Sequence, residues 1–396
     1  MDAGSIAWLL TASALVLLMT PGLAFFYGGL VRAKNVLNLM TQCFMIMGLV
    51  SIIWVLWGYS LAFGPSIGGF VGNPLTHLGL AGINGAEAQS FAMFQMMFAI
   101  ITPALIVGAI ADRFKFTTLI VFVALWSTLV YSPIAHWVWG EGGWLLTMGA
   151  LDFAGGTVVH ISSGFSALVA AIVVGKRSGK LDRFKPHNVP YVLLGTGLLW
   201  FGWFGCNAGS ALAADGIALN AFLVTNTSAA AGALMMMFLS MRSTGKPSAV
   251  MVACGAVAGL VAITPASGFV GPVAAILIGA GVGLVSWFAI QFKNQRGWDD
   301  SLDVWAVHGM GGVWGALATG LFASSAYGLG VDGIFSGGDI SVLTTQIIAV
   351  VATIAYAGIV TFILLKVLDK TIGLRVDAKD EEAGMDISVH AEEAYN

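Results

Sequence analysis

Eleven stretches of this chain are apolar for long enough to cross a bilayer, and no other feature limits its fold so strongly. A spanning helix needs about 20 mostly apolar residues. The stretches have cores at about 5–30, 39–63, 90–111, 117–137, 153–175, 190–211, 219–240, 248–265, 270–291, 304–325 and 342–367. In lipid every backbone N–H and C=O must be paired within the protein, so such runs fold as helices. Composition leaves little for a water-facing body. Of 396 residues, 58% are hydrophobic and only 9% are charged, where a soluble domain is nearer a quarter charged. The expectation is an all-α membrane protein with eleven transmembrane helices, a membrane domain over residues 1–370 and a polar tail over 371–396.

The basic residues give the expected orientation. Arg32 and Lys34 follow the first helix, and Arg113 and Lys115 follow the third. Lys176, Arg177, Lys180, Arg183 and Lys185 follow the fifth. Arg242 and Lys246 follow the seventh, and Lys293 and Arg296 the ninth. Lys366, Lys370, Arg375 and Lys379 lie at or beyond the end of the eleventh. All 17 Lys and Arg therefore fall on one side of an eleven-span arrangement. The positive-inside rule makes that side cytoplasmic, with the N-terminus outside and the C-terminus inside. The opening MDAGSIAWLL has no positive n-region, so the first run reads as a spanning helix and not a cleaved signal.

Net charge is −3, which implies no polyanionic partner such as nucleic acid. Cys43, Cys206 and Cys254 sit in apolar runs with no CxxC pairing, and read as buried side chains without a disulfide framework. No P-loop, dinucleotide fingerprint, HExxH or GxSxG occurs. The sequence thus offers no enzyme, no cofactor and no ATP-driven pump.

Ionisable groups inside a span cost roughly 2.5–3.5 kcal/mol when charged, so the few present carry information. His160 and His308 are the histidines well inside helices. Asp152 and Asp303 open the helices that carry them, which suits an N-cap role. Counted from opposite faces, both histidines reach similar depth, where two imidazoles can share a proton and satisfy each other. A zinc site would want three or four ligands, and no Cys, Glu or further His is placed to help. GWFGCNAGS (202–210) reads as a reworked GLAFFYGG (22–29), and DVWAVHG (303–309) echoes DFAGGTVVH (152–160). Two five-helix repeats, about 1–180 and 186–330, would be inverted because five is odd, with a site at their interface. An added helix at about 342–370 completes the bundle. Among the aromatics, Phe94 and Phe98 are one turn apart on the third helix, Trp139 lies in HWVWG, and Phe222 lies at the outer end of the seventh. Their π-faces attract a cation by roughly 0.5–2 kcal/mol.

FFYGGLVRAKN (25–35), FQMMFAIITPALIVGAIADR (94–113), HWVWG (136–140), LDFAGGTVVHISSG (151–164), KPHN (185–188), GWFGCNAGS (202–210), DVWAVHGMGG (303–312) and the tail GLRV…GMD…HAEEAY together give the chain its resemblance. It resembles the Amt/Mep/Rh ammonium transporter family, on the bacterial and archaeal Amt side, over almost its entire length. The resemblance implies a homotrimer in the cell membrane, with one pore per subunit. It implies an outer cation site at Trp139 and Phe98, completed by a hydroxyl from the seventh helix: Thr225, Asn226 or Ser228. It implies a stacked phenyl gate at Phe98 and Phe222, pore histidines at His160 and His308, and a supporting carboxylate at Asp152. The tail resembles a segment that docks PII-type signalling proteins, with HAE where relatives often have HGE.

The transport scheme implied is recruitment of NH4+ at the aromatic site, loss of its proton at the gate, and passage of NH3 along the histidines. Burial disfavours a charged amine by up to about 3–5 pKa units. K+ has no proton to shed, so a dry pore rejects it. The alternatives are an Rh-like neutral gas channel, an ammonium sensor, and a secondary transporter for another small solute.

Overall fold

The computed structural model describes residues 1–179 and 185–395; Lys180 and Arg183 of the basic loop lie outside the described residues. The structure is almost wholly helical. Helix α1 is Ala3–Leu30. Helix α2 runs through Val36–Ile53, a π turn Trp54–Gly58 and Tyr59–Phe63. Helix α3 is Ala86–Ile110. Helix α4 is Phe116–Trp126 with a π turn Ser127–Tyr131 and Ser132–Trp139. Helix α5 opens in the π turn Gly156–Ile161 and continues as Ser162–Val174. Helices α6 to α9 are Val189–Gly209, Gly216–Thr244, Ala249–Ile263 and Pro272–Arg296. Helix α10 opens in the π turn Trp305–Gly309 and continues as Met310–Phe322, and α11 is Ile340–Thr371. A two-stranded hairpin, Ser66–Ile67 with Val71–Gly72, is the one sheet among the described residues.

Nine helices among the described residues are long and apolar enough to cross a membrane. Ala249–Ile263 is apolar but shorter. Outward faces carry large apolar side chains such as Phe238, Phe288 and Val351, as a lipid-facing surface requires.

Two close crossings bring the halves of the chain together. A Cβ added at Gly195 of α6 would lie 2.2 Å from the Phe26 backbone nitrogen of α1. One added at Gly164 of α5 would lie 2.2 Å from the Gly309 nitrogen of α10. Small residues let backbones approach in lipid, where packing replaces the hydrophobic drive. At the second crossing Gly309 directly follows His308, and Gly164 lies one turn beyond His160.

At the basic end the fold is tied by buried ion pairs. Arg113 is fully buried and donates to the carbonyls of Ala109, Ala111, Gly175 and Asp299. Arg177 pairs with Asp299 at 2.8 Å and Asp112 at 3.6 Å. The tail beyond α11 folds back on this end. Its short helix α12, Ala378–Ala383, places Glu381 against the Ser178 N–H and Arg375. Asp386 then accepts the Leu37 and Asn38 N–H groups at 3.1 and 2.8 Å, at the start of α2. Tyr395 meets His187 at 3.0 Å.

Candidate functional site: an aromatic vestibule and an imidazole-lined pore

At the end of the bundle opposite the basic loops, a cavity of about 380 Å3 is lined by Phe91, Phe98, Trp139, Asp152, Ser210 and neighbours. The Phe98 and Trp139 rings meet edge to face with centroids 5.7 Å apart, and Phe94 stands 5.0 Å from Phe98. Trp139 is held in place because its indole N–H donates to the Asp152 carbonyl at 2.8 Å. The Asp152 carboxylate caps α5. It accepts backbone N–H groups of Gly155, Gly156, Thr157 and Val158 and the Thr157 hydroxyl. Gly155 stands at φ 116°, a conformation that suits glycine, and this turn lets successive N–H groups converge on one carboxylate.

Beyond Phe98 a second cavity, only about 10 Å3, runs between Met19, Phe98, His160, Trp203, Cys206 and His308. Phe98 lines both spaces and so stands between vestibule and pore. The two imidazoles meet at 3.2 Å through their Nδ1 atoms, one donating and the other accepting, with centroids 5.3 Å apart. Trp203 stacks on the far side of His160, also at 5.3 Å, and is anchored by donating to the Thr264 hydroxyl at 2.8 Å. Both histidines sit in π turns, a local widening of the helix common at functional sites. The His160 Nε2 is buried with no partner.

This geometry agrees with a scan of known families: the ammonium transporter family model matches residues 7–395. The chain belongs to that family. It is 48% identical to the ammonium transporter Amt1 of Archaeoglobus fulgidus across 100% of both chains. It is 47% identical to the ammonium transporter of Bacillus subtilis, across 100% of this chain and 99% of that one. Among solved structures it resembles Mep2 of Saccharomyces cerevisiae, with a TM-score of 0.89 at 37% identity over 96% of this chain and 89% of that one. It also resembles a structure titled a sensor Amt protein, with a TM-score of 0.91 at 31% identity over 98% of both. The family and the apolar helices make it a multi-pass membrane protein of the plasma membrane.

Phe98, Trp139 and Asp152 line the vestibule and Phe98, His160 and His308 line the bore, while Phe222, Thr225, Ser228 and Asp303 line neither space. Phe222 does not stack on Phe98. It lies parallel to Phe204 at 3.9 Å and is 42% exposed, because α7 turns that face outward. Cys206 and Phe98 both line the bore. Thr225 and Ser228 are not among the residues that line the vestibule. Thr225 accepts from Asn207 and donates to the Ala221 carbonyl, and Ser228 donates to the Gly259 carbonyl. Both hold α7 against its neighbours. The hydroxyl that faces the vestibule is Ser210, which donates to the Cys206 carbonyl at 2.8 Å and keeps oxygen lone pairs to offer. A signal for both was present. Trp203, Cys206 and Ser210 are spaced i, i+3, i+7 in GWFGCNAGS and share one helix face. Asp303 is likewise not the cap of α10. Asp300 accepts the Val304 and Trp305 N–H groups at 3.0 and 2.8 Å, while Asp303 pairs with Lys293 at 2.7 Å. No group of three or more His, Cys, Asp or Glu suited to a metal occurs among the described residues.

Proposed function

We propose that the chain conducts ammonium as neutral NH3, after recruiting NH4+ and removing a proton at Phe98. The observation that carries this reading is the sequence of spaces along one axis. A roomy aromatic vestibule beside a buried carboxylate cap leads, past a single phenyl ring, to a narrow apolar bore whose polar groups are two imidazoles. A cation fits the first space. The Trp139 and Phe98 π-faces attract it, and the Ser210 oxygen accepts one of its hydrogens. The second space suits a small neutral molecule. It offers nothing to replace a hydration shell, and a bare ion there pays the full desolvation cost. The unpartnered His160 Nε2 supplies a hydrogen-bond site for NH3. The imidazole pair, already sharing a hydrogen, supplies a route for the released proton.

In this reading the chain crosses the membrane eleven times, with the N-terminus outside and the basic end in the cytoplasm. The pairings of α1 with α6 and of α5 with α10 are those of inverted five-helix repeats, about 1–180 and 186–330, followed by α11. The protein works as a homotrimer. The docked tail at the basic end is the surface for a PII-type partner. A sensor role is the second reading, favoured by the likeness to the sensor Amt structure. The two separate in one experiment. Protein reconstituted in a supported membrane is given an ammonium jump, with potassium as control. A saturable current specific to ammonium supports transport with net charge, and no current but rapid internal alkalinisation of liposomes that carry the protein supports neutral NH3 passage. Neither response, from folded and inserted protein, would favour the sensor.

A further inference from the structure

The stripe of α3 that borders the vestibule is apolar except at one position. Phe91, Gln95 and Phe98 all line that cavity. They fall at i, i+4 and i+7 and so share one helix face. Phe91 also borders a wider outer cavity of about 780 Å3, so the stripe leads from the open face of the protein to the Phe98 ring. Gln95 stands one turn before Phe98 on the outer side, about 4.5 Å along the axis. It is 8% exposed, and its Oε1 is buried with no hydrogen-bond partner. A buried polar atom left without a partner calls for a reason. The polar groups of the vestibule wall do not supply one. The Asp152 carboxylate is taken up by the N–H groups at the start of α5, and the Ser210 hydroxyl donates to the Cys206 carbonyl. The terminal torsion of a glutamine is broad, so the amide can turn its oxygen to a guest in the cavity.

We propose that the Gln95 amide oxygen is a hydrogen-bond acceptor for NH4+ in the vestibule, one turn outside Phe98; the proposal rests on the reading of this space as the recruitment site. Residues three apart on a helix have Cβ atoms about 5–6 Å from one another. A cation on the outer side of the Phe98 ring is therefore within reach of the Gln95 side chain. Such a cation has left part of its hydration shell behind. The rings attract it whatever its chemistry, whereas an amide oxygen takes up one N–H and replaces one lost water. A hydrogen bond from an ionised donor is roughly twice as strong as a neutral one. Gln95 holds no proton to exchange, so its part is recruitment and not deprotonation. Its loss should weaken affinity and leave the later step in place.

The test measures ammonium transport by the reconstituted full-length protein. The rise in melting temperature with ammonium chloride, against potassium chloride, gives a binding readout that needs no transport. Gln95→Met keeps the length of the side chain and removes the acceptor. The ammonium concentration for half-maximal transport should rise at least about fivefold, as for a lost hydrogen bond to a charged group. The maximal rate should change less than about threefold, the pattern of lost binding and not of lost chemistry. The melting curves should need correspondingly more ammonium for the same shift. Gln95→Glu keeps an oxygen and adds a carboxyl whose ionisation burial delays. Ammonium affinity in that variant should strengthen from about pH 5 to about pH 8 more steeply than in the wild type, a step that a packing role does not create. Wild-type affinity in Gln95→Met by both readouts overturns the proposal. So does Gln95→Glu with the pH dependence of the wild type, which decides the matter should Gln95→Met fail to fold. A wild type without any transport response overturns the transport reading alone, and the melting curves then judge Gln95.

Discussion

Each pore histidine follows a helix start capped by a buried aspartate, and the two caps differ in what surrounds them. Asp152, beside the vestibule, accepts four backbone N–H groups and a hydroxyl. No ion pair reaches it among the described residues. Asp300, toward the basic end, accepts only two N–H groups and has Lys293 as neighbour. The Lys293 ammonium donates to the Asp300 carbonyl at 2.9 Å and pairs with Asp303. Burial pushes the Asp300 carboxyl up to about 6, against the pull of Lys293. The same motif thus serves opposite electrostatic ends. Asp152 is answered by hydrogen-bond donors alone, whereas Asp300 also has the Lys293 ammonium beside it.

The comparison is broken most directly by neutralising each cap in turn. Asp152→Asn keeps the shape and removes the charge. Preorganised charge at a site of this kind is worth about 10²–10³ in rate, so ammonium-evoked current should fall about 100-fold or more at matched insertion. Asp300→Asn, whose charge Lys293 already answers, should cost less than about tenfold. Equal losses would mean that the two caps are interchangeable supports. Lys293→Met tests the other side of the argument. Removing one partner of a buried pair costs about 3–5 kcal/mol; Asp303 is partly exposed here, so the lower end applies. Several degrees of melting temperature should be lost and largely recovered in Lys293→Met/Asp303→Asn. Melting curves that do not move would remove Lys293 from the account.

A smaller effect sharpens the vestibule half. Ser210→Ala should raise the ammonium concentration for half-maximal transport about fivefold, as expected for one hydrogen bond of about 1 kcal/mol. Thr225→Val should leave that concentration unchanged and lower thermal stability. The reverse pattern would restore the hydroxyl of α7 as the cation's partner.

These positions also show what the sequence could carry. The apolar runs and the buried His160 and His308 were legible because cost in lipid makes them rare, and rarity marks them. The pairing of Trp139 with Phe98 followed from the family motifs. What failed was the assignment of faces. Helix α7 has polar residues at Asn220, Thr225, Asn226, Thr227 and Ser228 with no single polar stripe, so its pattern does not say that Phe222 turns outward toward Phe204. Thr225 and Ser228 read as candidate cation ligands until the contacts with Asn207 and Gly259 show that they pack against neighbouring helices and not along the vestibule. Asp300 and Asp303 are three residues apart, and either spacing permits a cap. Only the left-handed turn at Asp303, φ 59°, decides that Asp300 reaches the helix N-terminus. Cys206 was read as a buried thiol, and it is buried; that it also lines a bore is a property of six helices at once.

The tail gives the smallest effect and bears on the basic end alone. Two of its carboxyls dock there and titrate in opposite senses. Burial opposes ionisation of Glu381, but the Ser178 N–H and Arg375 outweigh it and hold its carboxyl below the ordinary glutamate value. Burial raises the Asp386 carboxyl despite the Asn38 and Leu37 N–H groups. A group depressed by docking favours the docked state above its free value, about 4.3 for glutamate, and loses that contribution as pH falls through the docked value. A raised group does the reverse, weakening docking as pH rises through its docked value. Glu381 therefore makes the tail acid-labile, and Asp386 partly offsets this. Pepsin cleavage within residues 377–395, normalised to an unfolded substrate, should be a few-fold faster at about pH 3.5 than at about pH 5. Glu381→Gln should flatten that ratio or invert it, because only the Asp386 trend remains. A wild-type ratio near one, with the transmembrane body intact, would mean that the buried Arg375–Glu381 pair does not hold the tail.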